Sequence, residues 1–382
     1  MKLLYSRSMK YEGVTSITLA KKGEERMVEL NYQLSQEDRV RLERVKELTE
    51  IPSPTGYTKE IMDHLKEKFD NLGVDYTHTP KGGLLVTLEG KNTNRQRFIT
   101  AHVDTLGAMV RAIKPDGRLK IDLIGGFVYN SLEGVYCKIH AAQSNKVYDG
   151  TILMHQTSVH VYRNAGSLER NQDNMEVRLD HPVFNPEDVE KLGIQVGDFI
   201  SFDPRAEITD SGYLKSRHLD DKVSVALLIE AIEAVKAGQL TLGHTTHFYI
   251  SNNEEIGYGG NSNIAPEVEE YIAVDMGALG DDQTSDEYTV SICAKDASGP
   301  YHVGLRNQLV ELCQTNEIPY KIDIYPYYGS DASAAMRAGA DVRHGLFGAG
   351  IDASHAFERT HMTSVQATFD LVQKYLASSM VE

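Results

Sequence analysis

Apolar residues recur at helical spacing after Thr58, where Ile61, Met62, Leu65, Phe69 and Leu72 share one face and Gly73 ends the run. That spacing predicts a helix capped by Thr58, and another begins after Ser35. The pattern then shortens to strands over residues 84–88 and 98–101, the second running straight into His102. From about residue 108 to 212 short β-like runs dominate: residues 134–139, 152–154, 159–162 and 198–202. Turn residues at Asp149-Gly150, Asn164-Ala165-Gly166 and Val196-Gly197-Asp198 separate them, as in a small β-barrel or sandwich. Beyond Asp220 helices and strands alternate again. An apolar helix covers residues 223–235, and strands cover 247–250 and 271–274. A helix over residues 303–315 puts Leu305, Leu309, Leu312 and Cys313 on one face. Asp331 is placed as the cap of a short helix stopped at Gly339, and Thr363-x-x-Gln366 reads as the capping box of the last one.

This order predicts an α/β fold, a mixed sheet flanked by helices, with an inserted small β-barrel-like domain. At 382 residues the chain is longer than one core usually supports. The expected division is an N-terminal extension, 1–34, then the first part of the α/β domain, 35–107. The β-rich insertion, 108–212, and the second part of the α/β domain, 213–382, follow. The extension reads as a small hairpin, residues 17–19 and 27–30 around Lys21-Lys22-Gly23. No internal repeat or low-complexity segment appears.

Composition narrows the partners. Formal net charge is −16, from 55 acidic and 39 basic residues, with no Lys/Arg block that would grip nucleic acid or an anionic membrane. Cys137, Cys293 and Cys313 are scattered without C-x-x-C spacing, which points to a reducing compartment rather than a disulfide framework. The first residues form no signal-peptide hydrophobic region, and no apolar run nears the roughly 20 residues of a membrane span. A cytoplasmic location is the expectation.

Candidate chemistry gathers at strand ends and loops, where open α/β sheets place functional groups. His102-Val103-Asp104 follows a strand, and the spacing lets Asp104 fold back onto the far imidazole nitrogen to fix its tautomer. Asp220-Asp221 precedes the apolar helix, where it also reads as an N-cap with a first-turn acid. Glu254-Glu255 lies between a strand and Gly257-Tyr258-Gly259-Gly260, and adjacent side chains point apart, which suits one ligand and one base. That glycine-rich stretch lacks the Gly-Lys-Ser/Thr of a phosphate loop. Asp275 ends a strand, and His355 and His361 compete six residues apart in one loop, with spacing unable to choose. Together these imidazoles and carboxylates are what a two-metal hydrolase needs.

In these motifs the chain resembles the M42 family of metallo-aminopeptidases, the glutamyl/deblocking type that builds tetrahedral assemblies. The matching stretches are residues 101–104, 219–222, 253–257, 274–277, 329–332 and 353–360, in the family's order. The resemblance implies that Asp220 bridges two metals, that His102 and Asp275 complete one site, and that Glu255 and His355 complete the other. It makes Glu254 the general base and Asp104 the partner of His102, and it selects His355 over His361. It further implies a cis Asp220–Asp221 bond and a homo-oligomer, a dodecamer built from dimers through the β-rich insertion. Thr105 stands where the family often has Glu.

The implied function is metal-dependent removal of N-terminal residues from peptides. A di-metal-bridged water attacks while Glu254 takes its proton. Two divalent ions per subunit are expected, zinc first for a mixed His/carboxylate shell, with cobalt or manganese as substitutes. The competing readings are a co-catalytic metal carboxypeptidase or amidohydrolase, and a glycoside hydrolase. The last would need two carboxylates flanking a sugar bond and no such set of histidines. A non-catalytic assembly protein retaining the fold is the reading from outside enzymology.

Overall fold

The computed structural model describes residues 32–382; the hairpin expected over residues 17–30 lies outside them. A mixed sheet with helices on its faces, joined to a closed six-stranded barrel, is the observed architecture and the one the sequence predicts. In space the main strands run Leu84–Leu88, His244–Ser251, Asn92–His102, Val268–Val274, Arg343–Ile351 and Val290–Asp296. The four in the middle are parallel, while the first and last of the six run antiparallel to their neighbours. His244–Ser251 is buried throughout, and its parallel neighbours are buried over their carboxyl halves, as befits strands covered on both faces.

Register decides what the sheet can do. Ser251 pairs with His102, and Ala273 pairs with Thr100, which carries Asp275 to the level of His102. The carboxyl ends of three neighbouring strands therefore open at one edge. Gly348, on the next strand, lets that strand pass tightly behind Asp275; a Cβ there would lie 1.4 Å from the Asp275 carbonyl oxygen.

Helices Gln36–Glu50 and Lys59–Leu72 form where the apolar spacing places them. Ser35 caps the first through the Asp38 amide, and Gly73 ends the second at φ +61°, a conformation that favours glycine. Leu219–Lys236 is buried on nearly every face, between the sheet and the helices Gln36–Glu50 and Met362–Ala377. Its first turn is not helical: Asp220 and Asp221 depart from helical angles and are joined by a cis peptide bond.

The barrel runs Gly107–Ile113, Leu119–Ile124, Met175–Leu179, Lys146–Met154, Tyr136–Ala141 and Phe199–Phe202, closing where the last pairs with the first. Val110, Ile121, Ile139, Ile152, Val177 and Ile200 fill it. Tyr213–Ser216 then pairs with Glu358–His361, which stitches the chain leaving the barrel to the loop that carries His355.

Three local expectations are corrected. Residues 159–162 form turns rather than a strand: Val159 and Val161 alternate correctly but are 76% and 69% exposed. Ser330, not Asp331, caps Asp331–Arg337, in a reciprocal box with Ser333. The last helix is capped by His361, whose ring accepts from the Thr363 amide, while Gln366 bonds to Arg41 and Asp370. No described helix is long and apolar enough to cross a membrane.

Candidate active site

His102, the last residue of its strand, is fully buried. Its Nδ1 lies 2.9 Å from the Asp104 carbonyl oxygen and 3.6 Å from Asp104 Oδ1. The nearer acceptor is thus the backbone, not the carboxylate that the H-x-D spacing suggests. The Asp104 carboxylate instead accepts from the Thr55 hydroxyl at 2.7 Å and from the Glu254 and Glu255 amides at 3.1 and 3.3 Å. It shapes the turn that presents the two glutamates.

The other imidazole nitrogen, Nε2, faces inward, 3.1 Å from Asp220 Oδ1 and 3.7 Å from Glu254 Oε2. The second oxygen of Asp220 lies 3.2 Å from His355 Nε2, and that nitrogen is 3.5 Å from Glu255 Oε2. One carboxylate therefore stands between two imidazoles that came from opposite ends of the chain. Donor atoms of His102, Asp220 and Glu255 fall within 4.8 Å of one another, as do those of His102, Asp221 and Asp275. Asp221 accepts from the His102 amide at 3.1 Å with one oxygen; its other oxygen is buried and, among the described residues, has no hydrogen-bond partner of normal geometry.

Two supporting acids were given no part in the site by the sequence reading, which took Asp331 as a helix cap. Glu358 accepts from the Asp220 amide at 3.1 Å and the His355 amide at 3.0 Å, so one side chain sets both. Asp331 accepts from Thr100 at 3.0 Å, Ser251 at 2.5 Å and the Gly260 amide at 2.6 Å, tying two site-bearing strands together. Both lie inside matching stretches, and the signal that could have found Glu358 is its place three residues after His355. His355 itself sits at φ +62°, with Nδ1 2.8 Å from the carbonyl oxygen of Gly126 on the barrel side. His361, its rival, bonds to Thr363 and the Ser211 carbonyl and packs among Tyr32, Tyr213 and Tyr288, away from the cluster.

Burial dominates the electrostatics. It lifts the Glu254 carboxyl well above its ordinary range, helped by the charges of Asp275 and Asp331, though His102 pulls the other way. Burial also raises Glu255, against His355, to about 8, and Asp275, beside Asp220, to about 7. Glu358 is lifted to about 8 by burial and the Asp220 charge. For His355 burial opposes protonation, but Asp220 and Glu255 outweigh it and bring the ring to about 11. Asp220 alone among these acids is held down, since His102 and His355 overcome its burial. The pocket has more buried acid than its own cations can balance, a setting that suits a metal ion.

The family model for M42 glutamyl aminopeptidases matches residues 82–371. The chain is 63% identical over 340 residues to YhfE of Bacillus subtilis (strain 168), covering 89% of this chain and 98% of that one. It is 24% identical over 311 residues to the glutamyl aminopeptidase of Lactococcus lactis subsp. cremoris, covering 78% and 85%. Among solved structures it is similar to the Pyrococcus horikoshii TET1 peptidase, which can assemble into a tetrahedron or a large octahedral shell. There the TM-score is 0.77 at 23% identity, over 89% of this chain and all of that one. A family match over most of the chain, on a sheet edge built as described, makes this protein a member of the M42 glutamyl aminopeptidase family and an aminopeptidase.

Proposed function

We propose that the chain hydrolyses the first peptide bond of peptides at the Asp220 cluster, holding two divalent cations with Asp220 shared between them. His102 and Asp275 would complete one shell, and Glu255 and His355 the other. The observation that carries this is the Asp220 carboxylate, whose two oxygens face two different imidazoles. The residues fit such ions: the donors are mixed imidazole and carboxylate, Asp221 keeps a buried oxygen without a hydrogen bond of normal geometry among the described residues, and the acids are crowded. Zinc suits this set first, with cobalt or manganese as substitutes. When bound, the ions supply polarisation of the scissile carbonyl and acidification of a water.

The chain's own residues do the rest. Glu254, its carboxyl beside the His102 ring and its amide held by Asp104, takes the proton of the attacking water and passes it to the departing amine. Glu358 keeps Asp220 and His355 at fixed spacing, and the Gly126 carbonyl fixes the His355 ring, so no reorganisation is needed as charge builds. Acidic groups around the cluster also favour a protonated substrate amine, which accounts for a preference for amino termini. By its likeness to the TET peptidases we assign the chain to a closed homo-oligomer, a dodecamer built from dimers, which light scattering would size.

The decisive experiment incubates a peptide pool and its N-acetylated counterpart with and without chelator, read by mass spectrometry. Stepwise shortening from the free amino end, abolished by chelator and by acetylation, is the expected result. Shortening of the acetylated pool from its carboxyl end would instead establish a carboxypeptidase.

A further inference from the structure

The loop after strand Tyr320–Ile324 brings one more polar group to the cluster. Tyr327 and Tyr328 are adjacent in it and opposite in setting. The first is 98% exposed, and the second turns inward and packs its ring 5.2 Å from that of Tyr325. The loop is firmly held. The Tyr328 carbonyl accepts from the Ala297 amide at 3.0 Å, the Tyr325 hydroxyl bonds to Ser291, and the helix that follows starts with the anchored Asp331. The Tyr328 hydroxyl is buried beside Asp275, and among the described residues it makes no hydrogen bond of normal geometry. Its other neighbours in the site are Asp220 and Glu254.

A buried hydroxyl without a well-formed hydrogen bond needs a reason, because native structures seldom leave one. Pinned beside the acids, this phenol is placed to donate. We infer that Tyr328 is a further catalytic residue, its hydroxyl donating a hydrogen bond to the scissile carbonyl oxygen as the carbon becomes tetrahedral. The inference rests on the peptidase reading above. In the step, the water oxygen bonds to the carbonyl carbon and the π pair moves onto the carbonyl oxygen. Glu254 takes the water proton; the pair then returns as the carbon–nitrogen bond breaks, and that proton goes to the amine. Tyr328 keeps its proton throughout and is satisfied only while the oxygen carries charge, the differential contact that speeds a reaction.

The test compares metal-loaded wild type with Tyr328→Phe, which retains the ring and its packing. Expected is a fall in kcat of about 10²–10³-fold, the usual cost of one such donor, with KM changed less than about threefold. Metal content by elemental analysis should match wild type. Binding of a phosphinic peptide, whose tetrahedral phosphorus mimics the charged intermediate, should weaken by a similar factor while binding of the free amino acid product does not. An undiminished kcat overturns the inference, and so does loss of metal from the variant, which would put the hydroxyl in the service of Asp275. A wild type that cuts no peptide would sink the peptidase reading itself; an active wild type with an equally active variant sinks only Tyr328.

Discussion

The strands that carry His102 and Asp275 at one end carry Arg97 and Glu270 near the other, five residues earlier in each case, and both pairs are buried. At the Arg97 end every charge is answered. Arg97 Nε donates to Glu270 at 3.0 Å, its other nitrogens reach the Tyr375, Ser378 and Ser379 carbonyls, and its guanidinium lies 4.2 Å over the Tyr375 ring. Glu270 also accepts from the Tyr375 hydroxyl at 3.0 Å and the Val381 amide at 2.8 Å. At the His102 end carboxylates crowd one another, and among the described residues one Asp221 oxygen has no hydrogen bond of normal geometry. Burial of charge is common to both, so it does not identify a site. Incomplete partnering does, because a charge left unanswered in the interior waits for a ligand.

The contrast is sharpest under mutation. Glu254→Gln should lower kcat by about 10²–10⁴-fold, the range for a lost general base, with metal content unchanged by elemental analysis. Activity equal to wild type would remove Glu254 from that role. Arg97→Met should act only on stability, costing about 3–5 kcal/mol by strand-to-carboxylate isolation of Glu270, seen as a shift in the urea midpoint. The catalytic rate per folded molecule should stay the same. If that rate collapses while the fold holds, the two ends are not separable.

Metal affinity should fall as pH is lowered. Glu255, at about 8, and Asp275, at about 7, take up protons that an incoming cation must displace. Between about pH 9 and about pH 6 the loss should be about tenfold per unit for each proton displaced, measured by competition with a coloured chelator. A flat profile would mean that these acids do not hold the ion. The smallest effect separates the ends by sign. Asp275 is raised in the folded state, so its contribution to metal-free stability is full below its unfolded value of about 3.9 and is lost as pH rises through about 7. At pH 8 Asp275→Asn should therefore raise the Tm of the metal-free protein, by roughly 2 °C, while abolishing metal uptake. A lower Tm would show Asp275 to be as structural as Arg97.

Much of this was legible because strand ends announce themselves. His102 and Asp275 each break an apolar run, Asp220 opens the most apolar helix, and Glu254-Glu255 follows a buried strand, so the polar residue at the break is visible without coordinates. Capping was less legible. Ser330 and Asp331 both suit an N-cap, and only backbone angles tell them apart; His361 holds the cap position expected two residues further on, at Thr363. Residues 159–162 misled because alternation records a possible pairing, while a strand also needs a partner edge. Glu358, and Asp331 beyond its reading as a helix cap, were given no part in the site because they act on backbone amides and on hydroxyls from distant strands, and a sequence does not show where those meet. The Asp104 contacts illustrate the same point: H-x-D correctly brings the two residues together but does not say which oxygen turns toward the ring.

The Gly126–His355 contact ties two parts with distinct hydrophobic cores into one instrument. The imidazole belongs to the loop after the strand Arg343–Ile351, but the carbonyl that decides which of its nitrogens carries the hydrogen belongs to the chain leaving the second barrel strand. A version of this protein with residues 107–202 excised could keep every donor atom and still hold that ring in a free spin, blurring the tautomer on which inward coordination depends. The insertion is a fixture of the chemistry as well as a shape on the outside.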